Sequence, residues 1–265
     1  MYKLKNTFLS KWVFIIPSVF LLALFLLPFL ALFIRSINPE FFTHALSEQA
    51  IKALQLSLVT STITTISAMI LGTPLAYILA RWKFRLKSWI ELLIDLPIIL
   101  PPSVAGLILL IAFGRRGLFG STLLTLGISL PFTTLAVIIA QAFVAAPLYI
   151  RSARIGFGEI DKQLEEAASV EGANQWQLFS EVMFPLAGRS ILSGAILTWT
   201  RALGEFGATI LFAGNLEGVT QTMPMAIYLG FERNIDVALA LSVVLVFVSL
   251  MLLMLTKRLD KHEQH

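Results

Sequence analysis

The sequence predicts an all-α integral membrane protein with six transmembrane helices. Three observations predict it. Of 265 residues, 57% are hydrophobic and 14% charged, against roughly 25% charged in an average soluble protein. Six stretches are apolar over about 20 residues, the length that crosses a hydrocarbon core. The basic residues also fall unevenly among the segments joining those stretches, which is how a membrane chain sets its orientation.

Taken in order, the predicted spans cover residues 12–34, 53–80, 89–113, 132–150, 186–212 and 235–256. The first follows the basic start MYKLKNTFLSKW. It is longer than the apolar core of a signal peptide and no A-x-A site follows, so it reads as a retained helix. The second carries no charge but is rich in hydroxyls, among them Ser57, Thr60, Ser61, Thr62, Thr64, Thr65 and Ser67. The third holds Pro97, Pro101 and Pro102 in DLPIILPPSVAG, so a straight rod is not expected. Pro17, Pro28 and Pro74 are expected to bend the first two spans. The fourth is the shortest and uncharged, and the fifth carries Arg201 and Glu205. No connecting segment is long enough for a soluble domain, so residues 1–265 read as one transmembrane domain.

Six spans put both termini on one side. Lys3, Lys5, Lys11, the Arg81–Lys87 cluster, Arg151, Arg154, Lys162, Arg189, Lys257, Arg258 and Lys261 fall on that side. Only Arg35, Lys52, Arg115, Arg116 and Arg233 fall on the other. The positive-inside rule makes both termini cytoplasmic, in a multi-pass protein of the cell (inner or plasma) membrane. The segments around 35–52, 114–131 and 213–234 then face outward.

Several functions are excluded. There is no cysteine, hence no disulfide, iron–sulfur cluster or thiolate zinc site. The three histidines show no ligand spacing, so no metal site is expected. No G-x-x-x-x-G-K-[ST] occurs, so the chain binds no ATP by a P-loop. No nucleophile triad or H-E-x-x-H is present, so no catalytic residue and no enzyme activity are expected. Nothing points to a nucleic-acid partner.

One stretch does not suit so apolar a chain: EEAASVEGANQWQLFSEVMFP, residues 165–185. Asp161, Glu165 and Glu166 favour a helix start, where the macrodipole stabilises negative charge. Ala167 and Ala168 give a flat surface for close approach, and Gly172 lets the backbone turn. A second helix follows, with Trp176, Phe179 and Met183 about a turn apart, a stripe suited to lying on the membrane surface. Pro185 is expected to close it and begin the fifth span. The segment at about 154–185 thus predicts helix, glycine turn, helix, on the cytoplasmic side.

Here the spacing resembles a family. Glu166-Ala167-Ala168, three residues, Gly172, nine residues and Val182-Met183-Phe184-Pro185 match the pattern E-A-A-x3-G-x9-I-x-L-P of ABC-importer permeases, with Val182 for Ile and Phe184 for Leu. The resemblance implies a type I ABC-importer permease fold. It implies that Glu166, Ala167, Ala168 and Gly172 dock on an ATP-binding subunit. Further blocks resemble the oxyanion group of these permeases: Asp95-Leu96-Pro97 through Leu100-Pro101-Pro102, Phe113-Gly114-Arg115-Arg116-Gly117, and Arg201-Ala202-Leu203-Gly204-Glu205-Phe206-Gly207-Ala208. The last is shared with sulfate permeases; the first two lean toward molybdate. By that resemblance two copies form a homodimer above two cytoplasmic ATP-binding subunits, which hold the ATP and magnesium. An extracytoplasmic oxyanion-binding protein delivers the anion. Sulfate and tungstate remain alternative substrates.

Other candidates keep two readings. Arg201 and Glu205 share a helix face. Either they neutralise each other and pin helices together, the preferred reading, or Arg201 helps the anion through. Ser57, Ser61 and Thr64 either line a polar, uncharged route or bond neighbouring backbone. Arg115 and Arg116 either meet acidic residues of a binding protein or contact solvent and lipid heads. Glu91 and Asp95 are expected to snorkel or to pair with the Arg81–Lys87 cluster. An ion-coupled secondary transporter is the alternative of a different class. It calls for ionisable groups or broken helices in related halves, and the sequence has one charged pair and no paired pattern.

Overall fold

A computed structural model describes residues 8–262, with side chains from 12 to 254. Lys3, Lys5 and His265 lie outside the described residues, as do the side chains of Lys11, Lys257, Arg258, Lys261 and His262. All regular structure among the described residues is helical.

The helices in chain order are α1 (Phe8–Arg35), α2 (Phe41–Ala45), α3 (Glu48–Arg81), α4 (Lys87–Ile99), α5 (Pro102–Phe113), α6 (Gly120–Thr125), α7 (Thr134–Glu159) and α8 (Lys162–Val170). After α9 (Gln175–Leu186) come α10 (Gly188–Leu203), α11 (Gly207–Ala213), α12 (Met223–Arg233) and α13 (Ile235–His262). Four of them are long and apolar enough to cross a membrane; two bent pairs, α4 with α5 and α9 with α10, bring the spans to six when each pair counts once. The chain is an integral membrane protein.

Local chemistry sets the ends. Ser47 caps α3 by accepting the Ala50 N–H at 3.3 Å, and Thr133 caps α7 through the Ala136 N–H at 3.2 Å. Pro17, Pro28, Pro74 and Pro147 lie inside helices that the chain does not break. Leu100 and Pro101 behave otherwise. Leu100 is extended, as a residue before proline prefers, and Pro102 opens α5 at its first turn. The axes of α4 and α5 then differ by 118°.

Four expectations are corrected. The fourth span runs to Glu159, past 150, because a helix does not stop where its apolar window does; Arg151 and Arg154 ride on its last turns. The fifth span is broken after Leu203, and α11 starts anew at Gly207. Pro185 sits inside the last turn of α9, and the 69° bend follows at Ala187. The segment at 213–234, a connection between spans by the sequence, holds a helix, α12.

The core forms around α3, α7 and α10. Small residues let them approach closely: a Cβ on Gly194 of α10 would sit 2.8 Å from the Ser152 Cβ of α7. One apolar cluster joins α3, α7, α9 and α10 through Tyr149, Phe157, Met183 and Ile191. A second joins α5, α7 and α11 through Leu109, Val137 and Phe212. A third joins α3, α12 and α13 through Ala53, Met223 and Leu241. By contrast, the apolar window of α1 buries nothing against the chain.

Candidate functional site

The segment between α7 and α10 is an ordered bracket. Asp161 starts α8 by accepting the Gln163 N–H at 3.0 Å. The helix ends in a full Schellman turn. Ala173 N–H reaches the Ala168 carbonyl at 3.0 Å and Gly172 N–H the Ser169 carbonyl at 3.1 Å. Gly172 has φ +90, with nothing within 4 Å of where a Cβ would lie. Its requirement is therefore backbone angle, not space. This gives the A-x3-G spacing a cause: Ala168 is the residue whose carbonyl the turn closes on, four before the glycine. Asn174 and Gln177 then form a reciprocal capping box that starts α9.

In α9 a π-helical turn, Leu178–Met183, interrupts the regular pattern. It aims Phe179 at Tyr77 and Phe157, with ring centroids 5.2 and 6.1 Å away, and buries Met183 completely. Here the expectation of a membrane-surface stripe is corrected. Phe179 and Met183 pack on the ends of α3 and α7, and only Trp176 stays exposed. α8 buries none of its residues. Leu164, Glu166, Ala167 and Val170 are exposed, and Ala168 is half-buried against the turn. Leu164 and Val170 of α8 and Trp176 of α9 therefore leave large apolar side chains uncovered on the bracket.

Arg81 ties the bracket to the bundle. Its side chain is 8% exposed and pairs with Glu165 at 2.6 Å. Arg81 Nη2 also donates to the Ile160 carbonyl at 2.7 Å. Nearby, Glu91 of α4 pairs with Arg154 of α7 at 2.6 Å, not with the Arg81–Lys87 cluster. The extra turns of α7 bring Arg154 within reach.

Arg201 and Glu205 stand at the break between α10 and α11. Their charges meet at 2.6 Å, Glu205 being 1% exposed and Arg201 33%. The second Glu205 oxygen accepts the Ala208 N–H at 2.8 Å. One carboxylate thus neutralises a cation and caps a helix start, where its charge is favoured. At the same crossing a Cβ on Gly106 of α5 would lie 2.7 Å from the Ala208 carbonyl of α11. The two broken spans therefore touch through backbone.

Ser57, Ser61 and Thr64 are fully buried. Ser57 Oγ accepts the Met223 N–H of α12 at 2.7 Å, Ser61 Oγ donates to the Leu58 carbonyl at 3.2 Å, and Thr64 Oγ1 donates to Gln141 Oε1 of α7 at 3.1 Å. Their hydrogen bonds go to neighbouring helices and their own backbone, as interior hydroxyls between close-packed helices bond what is nearest. Arg115 and Arg116 are exposed on the turn between α5 and α6, which Leu118 and Phe119 fasten by donating to the Ile111 and Ala112 carbonyls at 2.9 Å each.

The sequence reading missed the Arg81–Glu165 pair, and nothing local could have shown a contact between residues so far apart. The capping box was visible as N-x-x-Q at 174–177. Among the described residues no group of acidic or histidine side chains is placed to hold a metal.

Known proteins resemble the chain in sequence, and others in fold. The chain is 39% identical over 243 residues to the molybdenum transport system permease protein ModB of Mycobacterium tuberculosis, covering 92% of each chain. It is 40% identical over 210 residues to a putative molybdenum transport system permease of Bacillus subtilis, covering 78% of this chain and 92% of that one. A molybdate/tungstate transport system permease protein of Thermococcus kodakarensis is 35% identical over 206 residues, covering 77% and 78%. Among solved structures, a bacterial alginate ABC transporter in complex with its alginate pentasaccharide-bound periplasmic protein has a chain matching with TM-score 0.80. That match has 18% identity and covers 96% of this chain and 94% of that one. The MetNI methionine ABC transporter matches with TM-score 0.63 at 18% identity, covering 82% and 99%. The fold is that of a type I ABC-importer permease. Residues 72–262 match the family described as binding-protein-dependent transport system inner membrane component, and the chain belongs to that family.

Proposed function

We propose that the chain is the membrane-spanning permease subunit of an ATP-driven importer for molybdate or a related tetrahedral oxyanion. The observation that carries the substrate is the near-full-length similarity to a chain named for molybdenum transport. Residues 1–265 act as one permease domain in the cell membrane. Both termini and the 154–185 bracket lie in the cytoplasm, on the reasoning of the positive-inside rule. Two copies form the core, two ATP-binding subunits sit beneath and hold ATP and magnesium, and an extracytoplasmic binding protein delivers the anion. The alginate transporter of the same fold, solved in complex with a periplasmic protein, supports a partner of that kind.

Glu166, Ala167, Ala168 and Gly172 form the docking surface for the ATP-binding subunit; the exposure of Glu166, Ala167 and Gly172 and the hydrogen-bonded turn at Ala168 support that role. Arg115 and Arg116 meet acidic residues of the binding protein. The Arg201–Glu205 pair holds the break in the fifth span, and Ser57, Ser61 and Thr64 hold α3 to its neighbours. When the ATP-binding subunits close, the brackets move with them and the two copies swing from inward-open to outward-open. The anion then enters from its carrier, and hydrolysis resets the cycle.

The test is reconstitution with the cognate ATP-binding subunit and binding protein. Molybdate-loaded binding protein should stimulate hydrolysis; tungstate-loaded protein stimulating better would make tungstate the substrate. No stimulation by molybdate, tungstate or sulfate would overturn the oxyanion assignment.

A further inference from the structure

We propose that Arg81 is the positioning residue through which α8 moves α3, and that α3 carries the movement across the membrane to α12. The inference rests on the reading of the bracket as a docking surface.

The near end is a node. One guanidinium, almost fully buried, holds the Glu165 carboxylate of α8 and the Ile160 carbonyl of the elbow between α7 and α8. It also lies 4.0 Å from the Met183 sulfur in the π turn of α9. One turn earlier on α3, Tyr77 packs edge-on against Phe157 and Phe179, at 5.5 and 5.2 Å. The last turn of α3 is therefore gripped by three parts of the bracket. α8 buries no side chain of its own, so the charged contact carries much of its attachment. An ion pair at low exposure is little screened by water and resists separation more than a single apolar contact does.

The far end is also bonded. Ser57 Oγ accepts the first N–H of α12, from Met223, at 2.7 Å, and Gln49 Nε2 donates to Gln221 Oε1 at 2.9 Å. Between the two ends α3 is unbroken for 34 residues, about 50 Å at 1.5 Å per residue. The third and fifth spans are both broken. A helix that stays continuous through Pro74 and is hydrogen-bonded at each end can transmit displacement, whereas a broken one absorbs it.

The experiment compares wild type, Arg81→Met, Glu165→Gln and the exchanged pair Arg81→Glu with Glu165→Arg, in complex with the ATP-binding subunit. The single variants should keep subunit association and basal hydrolysis. They should lose stimulation by molybdate-loaded binding protein about tenfold, within the range of coupling between distant sites. The exchanged pair should restore it. Wild-type stimulation in both single variants, or equal loss of basal and stimulated hydrolysis, overturns the proposal. If Arg81→Met does not accumulate in the membrane, Glu165→Gln, at a partly exposed position, decides alone. If wild type itself shows no stimulation, the functional reading fails. The link through α3 is then judged on the permease alone, by amide hydrogen exchange. Faster exchange at 223–233 in Glu165→Gln supports it, and unchanged exchange overturns it.

Discussion

Gly172 and Glu205 show how much a single position carries. At Gly172 a φ of +90 costs any L side chain backbone strain, whatever the surrounding space. Gly172→Ala should therefore cost about 1 kcal/mol in the bracket. Gly172→Val should cost more, and Gly172→Asn least, since asparagine tolerates positive φ. Protease nicking between 160 and 186 should rise in step with that cost, with stimulated hydrolysis falling in parallel; a bulky residue without effect would remove the turn from the docking role. At Glu205, Arg201→Ala should destabilise by about 2–3 kcal/mol, below the range for a fully buried pair because Arg201 is one-third exposed. Arg201→Ala combined with Glu205→Gln should regain most of that loss, since glutamine still accepts the Ala208 N–H. Thermal unfolding in detergent measures both. The residue types were readable from the sequence. The Ala168–Gly172 turn explains the family spacing, but the bond from Ala173 back to Ala168 became visible only in the fold.

Elements differ in how well their sequence forecasts them. Helices that only have to be apolar and long, α3 and α13, contain their predicted spans whole and extend beyond them, α3 running from Glu48 to Arg81 and α13 on to His262. The broken spans do not, because a hydropathy window averages across a break. Prolines alone do not decide either: Pro74 and Pro147 are absorbed, while Leu100–Pro101 turns the chain by 118°. What stabilises the break is the partner. α5 and α11 touch through backbone at Gly106 and Ala208, so Gly106→Leu should drive them apart. The expected cost is about 1–3 kcal/mol of overpacking. Loss of stimulated hydrolysis with retained membrane insertion would be the functional signature, measured beside the thermal midpoint.

At the scale of the whole molecule, orientation is the claim most open to direct measurement. The chain has no cysteine, so single reporters can be introduced without background. Cysteine at exposed Arg116 should react with an impermeant maleimide added outside intact cells. Cysteine at exposed Glu166 should react only after permeabilisation. The reverse pattern would invert the topology. α1 buries none of its apolar window against the rest of the chain, so removing residues 1–35 should leave the cooperative unfolding of the remaining bundle nearly unchanged. A collapse of the transition would show that α1 is integral to the core. Both expectations follow from charge distribution and burial, which operate on the chain as a unit.

Composition, periodicity and spacing by themselves determined that this protein spans a membrane through helices, which loop is ordered, and where the glycine turn lies. Those features are local: they depend on transfer free energy, helix-end chemistry and backbone angle within a few residues. Only the tertiary structure decided where two spans break, which faces of α3 are buried, and that Arg81 holds Glu165 while Arg154 holds Glu91. Those features depend on which helices meet. A buried charge or hydroxyl takes the nearest partner in space, and the linear order of the chain does not state which partner that is.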